Sequence, residues 1–224
     1  MWDRPESFDA LAEGYDFMSA LESSRYDLFL DNLPVERFRA LDIGCGTGGL
    51  AFELSKHFQS VLAIDISAPM LEIARRKHNA SNIEYQLLDA NGLNTSLKFD
   101  YIVSQNTFHH LSDVPATLGI LRNALNPDGK LVITDCICET LKVPKYVIFI
   151  SPFLDFLPDW RRHSFHVAAR LFRFRMSRPW RAHLASDTFL SESGFHEVYG
   201  KALPPATFIR HGNFMTVAWT KSQI

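Results

Sequence analysis

The stretch Leu41-Asp42-Ile43-Gly44-Cys45-Gly46-Thr47-Gly48-Gly49-Leu50 decides the fold prediction for this chain of 224 residues. It follows a short apolar run that predicts a strand at 39–43, and it precedes an apolar periodicity that predicts a helix near 50–57. Glycines between a strand and a helix permit a tight turn and let a ligand lie against bare backbone at the helix N-terminus. The stretch therefore predicts a ligand-binding loop in an α/β domain.

The spacing of the glycines alone allows two classes of ligand. Gly44, Gly46 and Gly49 fit the G-x-G-x-x-G pattern of dinucleotide-binding loops. Gly44, Gly46 and Gly48 equally fit G-x-G-x-G. Asp65, at the end of the second predicted strand, suits both patterns because both kinds of ligand present a ribose diol.

Three further features favour a ligand without phosphate. Asp42 lies two residues before the first glycine, where its carboxylate would repel a pyrophosphate and could hold a positively charged end. The loop contains no lysine. Asp89 ends the third predicted strand, where it could accept a hydrogen bond from an amino-purine.

The remaining pattern predicts a parallel sheet that ends in a hairpin. Strands are expected at 60–65, 83–88, 101–104 and 130–135, with helices near 69–79 and 113–125, and this alternation is typical of βαβ units. The turn at 126–129 (Asn-Pro-Asp-Gly) separates the last of these helices from its strand. Beyond residue 136 we predict a lid insertion, a helix near 186–193 that ends at Gly194, and a final hairpin of strands near 195–201 and 213–220.

The composition is that of a globular protein, since 46% of the residues are apolar and 21% are charged. The sequence predicts one domain over residues 1–224: an N-terminal helical cover (1–37), a cofactor-binding core (38–136), the insertion or lid (137–185), and the final helix and hairpin (186–224). No apolar run approaches the roughly 18 residues of a membrane span. The three cysteines form no disulfide framework, so a cytoplasmic location is expected.

Five segments together resemble a known family. LDIGCGTGGL, AIDIS, QLLDA, FDYIVSQNTFHHL and LNPDGKLVITD resemble, in order, the motifs of class I S-adenosylmethionine-dependent methyltransferases, over roughly residues 8–136 and the terminal hairpin. The resemblance implies a Rossmann-like, seven-stranded sheet of order 3-2-1-4-5-7-6 with strand 7 antiparallel and helices on both faces. It also implies S-adenosylmethionine as the cofactor.

The resemblance assigns roles to individual positions. Asp65 would accept from both ribose hydroxyls, Ile66 would pack on the adenine, and Asp89 would face its exocyclic amine. Tyr15 resembles an N-terminal tyrosine that closes over the cofactor. The full set of expected cofactor contacts is Tyr15, Asp42, Gly44, Cys45, Gly46, Gly48, Asp65, Ile66, Met70, Asp89, Ala90, Ser104, Gln105 and Asn106.

Methyl transfer from a sulfonium is an in-line displacement, to which an enzyme contributes mainly alignment. A general base is needed only when the acceptor carries a proton on its reacting atom. His109 is the candidate base, because a histidine at the matching position is common in small-molecule members of the family. The adjacent His110 is expected to point elsewhere.

No metal site is predicted, because the C-x-C pair of Cys136 and Cys138 has no partner pair.

The predicted insertion carries an unusual charge. Residues 160–186 hold seven arginines and no acid, whereas the rest of the chain, with 16 basic and 25 acidic residues, has a net charge of −9. Four interpretations remain open: a solvated basic face, a clamp for an anionic acceptor, a peripheral membrane contact for a lipophilic acceptor, and nucleic acid, which is the least favoured. An apolar stripe of Phe165, Ala168, Ala169, Phe172 and Met176 is expected to be buried. Arg170 and Arg173 beside it are the expected acceptor contacts.

The sequence thus predicts S-adenosylmethionine-dependent methyl transfer to a small-molecule acceptor. Two alternatives remain: an NAD(P)-dependent oxidoreductase on a dinucleotide-binding fold, and a non-catalytic methyltransferase-like partner subunit. The oligomeric state cannot be derived from the sequence.

Overall fold

The computed structural model describes residues 8–21, 26–93 and 96–222 and contains one seven-stranded sheet. Its strands are β1 (Arg39–Ile43), β2 (Ser60–Asp65), β3 (Ile83–Leu87), β4 (Phe99–Gln105), β5 (Leu125–Cys136), β6 (Thr207–His211) and β7 (Phe214–Thr220). Their order is β3-β2-β1-β4-β5-β7-β6. β1 to β5 are parallel, whereas β7 runs antiparallel to β5 and β6. The predicted sheet order and the antiparallel strand 7 are confirmed.

Nine α-helices connect or cover these strands in the described residues. They are α1 (Ala12–Ser19), α2 (Asp27–Leu30), α3 (Gly49–Ser55), α4 (Ala68–Lys77), α5 (Val114–Ala124), α6 (Lys145–Arg162), α7 (Phe165–Arg175), α8 (Arg178–Ser186) and α9 (Glu192–Ala202). The helices predicted near 50–57, 69–79 and 113–125 are thus present, with ends shifted by one or two residues. No helix within the described ranges is long and apolar enough to cross a membrane.

The sheet is buried on both faces, as a parallel sheet covered by crossover helices requires. Leu41 and Ile43 of β1 face one apolar cluster, in which α5 and α9 pack. Ala40 faces the other cluster, in which α3 packs. Because side chains alternate along a strand, Asp42 lies on the same face as Ala40, beneath the glycine loop.

The prediction for the last part of the chain was partly wrong. Residues 195–201, predicted as a strand, belong to α9, and the strand that pairs with β7 is β6 at Thr207–His211. Gly194 lies in the first turn of α9, where its N–H donates to the capping Ser191 hydroxyl at 3.1 Å. Phe195 and Tyr199 have high strand propensity, but their i,i+4 spacing places both in the core, and this packing overrides the propensity.

The N-terminal helix lies on α4. Ala12 packs against Met70 and Ile73, Asp9 accepts a hydrogen bond from the Ser67 hydroxyl at 2.7 Å, and Asp16 pairs with Lys77. Part of the predicted N-terminal cover, residues 1–7 and 22–25, lies outside the described residues. Of the described part, Phe8, Leu11 and Tyr15 lie at the carboxyl end of the sheet, whereas Phe29 of α2 packs in the same core cluster as α3.

The predicted insertion forms the three helices α6, α7 and α8. Asp155 and Asp159 of α6 both pair with Arg175 of α7, so one arginine holds the two acids. The expected apolar stripe of α7 is only partly correct. The fully buried side chains are Ala168 and Leu171, and Phe165 is 52% exposed, because the helix turns a different face toward its neighbours.

Candidate active site

The glycine loop is held in place by Asp65 at the end of β2. One carboxylate oxygen of Asp65 accepts the Gly46 N–H at 2.8 Å, and the other accepts the Ser67 N–H at 2.8 Å. Gly44, Gly46 and Gly48 have φ of 67°, 53° and 85°, a region that residues with a Cβ rarely adopt. Burial raises the pKa of Asp65, although the hydrogen bonds from the backbone N–H groups of Ser67 and Gly46 lower it in part. The carboxylate is thereby fixed beside the loop.

A cavity of about 480 Å³ opens at this end of the sheet. The loop side leaves room for a ligand, since a Cβ added to Gly46 would meet no described atom within 4 Å. The predicted cofactor residues that line the cavity are Tyr15, Gly44, Gly46, Asp65, Ile66, Met70, Asp89, Ala90, Gln105 and Asn106. The carboxyl ends of β1, β2, β3 and β4 bring them together.

Asp42 lies beneath the loop rather than on the cavity wall. It is 1% exposed, and its Oδ2 meets no hydrogen-bond donor among residues 8–21, 26–93 and 96–222. Burial and, to a lesser extent, the negative charge of Asp65 raise the pKa of Asp42 to about 8, while the backbone N–H of Ala51 opposes the shift. The sequence analysis expected Asp42 to hold a positively charged end of the cofactor, but its side chain does not line the cavity.

The structure does not bring three other predicted positions to the cavity wall. The Ser104 hydroxyl donates to the carbonyl of Ile43 at 2.9 Å and thus ties β4 to β1. Gly48 faces Tyr85, whose hydroxyl would lie 2.6 Å from an added Cβ. Cys45 is buried, and burial raises the pKa of its thiol. These residues shape the loop and its packing.

His109, the predicted base, lines the cavity and is held by an aspartate that the sequence analysis did not assign. His109 Nδ1 lies 2.5 Å from Asp135 Oδ1, and the His109 N–H donates to Asp135 Oδ2 at 2.8 Å. A carboxylate can only accept, so Nδ1 carries the hydrogen, and in the neutral ring Nε2 is the nitrogen that accepts. Asp135 is 3% exposed, and it also accepts the N–H of Cys136.

His110 lines the same cavity, and the expectation that it points elsewhere was wrong. Both histidines belong to the short 3₁₀ helix Phe108–His110, and their ring centroids lie 3.8 Å apart. His110 Nδ1 lies 3.8 Å from Asp187 Oδ1, and His183 Nε2 lies 3.8 Å from Asp187 Oδ2. Candidate ligand atoms of His109, His110 and Asp187 lie within 4.8 Å of one another, although the sequence predicted no metal site.

Arg170 and Arg173, the predicted acceptor contacts, do not line the cavity. Both are exposed on α7. The Arg170 guanidinium lies over the Phe17 ring at 3.8 Å, which joins α7 to α1. The position of α7 behind α1 explains the difference, because α1 and α8 form the wall there.

The sequence analysis missed the cavity wall that α8 and its flanks supply. Its residues are Trp180, His183, Leu184, Asp187 and Phe189, and Phe8 and Leu11 of the N-terminal segment line the same cavity. The ring of Phe8 makes edge contacts with His110 and His183. The i,i+4 spacing of His183 and Asp187 would have indicated that both side chains lie on one face of a helix. The sequence analysis considered only the arginines of this segment.

Comparison with known proteins gives a family match to the same part of the chain. Residues 40–129 match the family model of the methyltransferase domain. A malonyl-[acyl-carrier protein] O-methyltransferase of Acetivibrio thermocellus is 33% identical over 132 residues, which are 57% of this chain and 47% of that protein. A demethylmenaquinone methyltransferase of Thermus thermophilus is 32% identical over 142 residues, 57% of this chain and 63% of that protein. The chain thus spans about half to three fifths of these curated relatives.

Solved structures share the fold over almost the whole chain. The DhpI–SAH complex has a TM-score of 0.66 at 18% identity and covers 98% of this chain and 96% of its own. The methyltransferase in a Haloferax volcanii Trm112 activator complex has a TM-score of 0.68 at 14% identity, with 99% of both chains covered. At these identities the likeness shows the fold.

Proposed function

The chain belongs to the class I S-adenosylmethionine-dependent methyltransferase family, and we propose that it transfers the methyl group of this cofactor to a small-molecule acceptor. The observation that carries the proposal is the fixed Asp65 carboxylate beside the bare backbone of Gly46. Each carboxylate oxygen uses one lone pair for a backbone N–H and keeps the other for a ribose hydroxyl. The two oxygens together match a cis-diol.

The neighbouring residues fit the rest of this cofactor. Ile66 and Met70 give the cavity an apolar wall for an adenine, and Asp89 lies beside them as a hydrogen-bond acceptor. The carboxyl group of Asp42 lies buried beneath the loop, and the loop contains no lysine to hold a phosphate. When bound, S-adenosylmethionine supplies an activated methyl group on a sulfonium.

The chain's own contribution is alignment, exclusion of water and a proton acceptor. α1 and α8 cover the cavity with Leu11, Tyr15 and Trp180, which keeps water from the reacting atoms. Asp135 fixes the ring of His109 with Nε2 as the acceptor of a proton. A hydroxyl, carboxyl or thiol acceptor placed beside His109 could lose its proton there. Two relatives named for small or carrier-bound acceptors support a small-molecule class.

Calorimetric titration tests the cofactor assignment. We expect S-adenosylhomocysteine to bind and NAD to bind more weakly or not at all. Asp65→Ala should weaken S-adenosylhomocysteine binding by about 1.5–3 kcal/mol, the range for hydrogen bonds to a charged group. The matched control is Glu72→Ala, an exposed carboxylate on α4, which should leave the affinity unchanged. Tighter binding of NAD, or an unchanged affinity in Asp65→Ala, would contradict the proposal.

A further inference from the structure

Helix α6 exposes an apolar face that nothing in the described structure covers. Seven large apolar side chains along the helix are between 45% and 69% exposed: Tyr146, Phe149, Ile150, Phe153, Leu154, Leu157 and Trp160. At 100° per residue they fall within an arc of about 140°. The buried residues of α6, Ile148, Pro152 and Asp159, lie on the opposite side. The helix thus has a packed face and a second, exposed apolar face.

We call these seven side chains the α6 face. They lie together along one side of the helix, whereas apolar residues on a protein surface are usually scattered singly. Leu141 before α6 and Phe165 after it are also about half exposed and extend the same region along the chain. Contiguous exposed apolar patches of this kind mark contact surfaces for membranes or partner proteins.

The charges around the α6 face are cationic. Lys145 begins the helix, Arg161 and Arg162 end it, and all three are exposed. The two acids of α6, Asp155 and Asp159, lie on the side of the helix opposite the α6 face, where both contact Arg175 of α7. Exposed aromatic and aliphatic side chains between cationic ends are the pattern of helices that lie in the interface of an anionic membrane.

We propose that the α6 face is a docking surface for an anionic lipid bilayer, on which α6 lies parallel to the membrane plane. The chemistry required is an acyl-chain region for the apolar side chains and negatively charged headgroups for Arg161, which lies within the arc of the α6 face, and for Lys145, about 40° outside its edge. A second copy of this chain would place these like charges against each other, which disfavours a symmetric dimer through the same face.

The α6 face is also connected to the cavity. The Arg181 guanidinium of α8 lies over the ring of Phe149 at 4.7 Å, and Trp180 and Leu184 of α8 line the cavity. When α6 is docked, α8 therefore lies between the lipid surface and the cavity. The inference goes beyond the proposed function and does not depend on methyl transfer.

Co-sedimentation with vesicles tests the proposal. The full chain is mixed with phosphatidylcholine vesicles, or with vesicles that contain about 30 mol% phosphatidylglycerol. We expect binding to the anionic vesicles, and a loss of about tenfold or more in Ile150→Gln/Leu154→Gln, which removes two apolar contacts. Arg161→Gln/Arg162→Gln should lose a similar factor at low salt. The matched control is Val35→Gln, which removes an apolar side chain that is 94% exposed outside the α6 face and should bind as the parent does.

Three results would overturn the proposal. The parent protein could remain in the supernatant with both kinds of vesicle. The Ile150→Gln/Leu154→Gln variant could sediment like the parent. Light scattering could show a parent dimer that this variant converts to monomers, without vesicle binding, and the α6 face would then be a dimer interface. Circular dichroism and urea unfolding of each variant check the fold without reference to any ligand, so the outcome stays separate from that of the proposed function.

Discussion

His109 and Asp135 form a buried pair at the carboxyl ends of β4 and β5, with His109 Nδ1 2.5 Å from Asp135 Oδ1. Asp135 holds this histidine through its ring and through its backbone N–H. The ring orientation is therefore set by the sheet and not by the loop that carries it. This arrangement makes a specific kinetic prediction.

His109→Gln should lower kcat about 10²–10⁴-fold for an acceptor that carries a proton on its reacting atom, because the proton acceptor is lost. Release of S-adenosylhomocysteine, measured with an acceptor found by screening acids, phenols and amines, gives the rate. The affinity for S-adenosylhomocysteine should change little. The control His166→Gln alters an exposed histidine on α7 and should behave as the parent. A parent-like kcat for His109→Gln would exclude the base role.

The glycines offer a second, internally controlled prediction. Gly46→Ala should weaken cofactor binding and cost about 1 kcal/mol in stability, because its φ of 53° is unfavourable for alanine and its Cβ would enter the cavity. Gly119→Ala, in the middle of α5 with open space around the added Cβ, should raise the free energy of unfolding by up to about 1 kcal/mol. Urea unfolding and calorimetry measure both effects. If Gly46→Ala and Gly119→Ala had the same cofactor affinity, the result would argue against a ligand at Gly46.

The arginines of α7 provide a third prediction. Arg170→Ala should lower the free energy of unfolding by about 0.5–1 kcal/mol, because the contact with Phe17 is lost. Arg173→Ala, on the same helix and exposed, should have little effect. Neither change should raise the KM for the acceptor, whereas Trp180→Ala, at the cavity wall, should. A raised KM in Arg173→Ala would restore the earlier assignment of this residue to the acceptor.

The order of the strands could be predicted because the residue pattern of the strands agrees with how they pack in the sheet. β1, β2 and β4 are short apolar runs, each followed by a turn and a helix, and buried parallel strands permit few other patterns. The segment 195–201 misled the prediction because aromatic and β-branched residues occur both in strands and on the buried side of a helix. The hairpin turn at Gly212, with φ 60°, was the better signal for where β6 ends.

The sequence predicted the cavity residues that follow the strands, and it did not predict those of α8. Asp65, Asp89 and the glycines lie at strand ends, where the fold determines their position. Trp180 and His183 reach the cavity only through the packing of α8 against the rest of the insertion. No local pattern encodes that packing. The arginine count indicated an unusual segment, but the exposed apolar face of α6 is what distinguishes it in three dimensions.

The last prediction concerns the buried Asp42, whose pKa is raised from 3.8 to about 8. A raised pKa means that the folded state binds this proton more tightly than the unfolded chain. The free energy of unfolding therefore falls as the pH rises between about 4 and 8, by at most about 1.4 kcal/mol per pH unit, and this contribution is constant outside that window.

Asp42→Asn removes the titration while it keeps the shape of the side chain. The difference in unfolding free energy, variant minus parent, should therefore grow in favour of the variant from about pH 4.5 to about pH 8 and then level off. Urea unfolding of both proteins across this range gives the difference, in which the titration of all other groups cancels. A difference that does not change with pH would show that Asp42 is ionised throughout, and its burial would then have to be offset by a cation at the glycine loop.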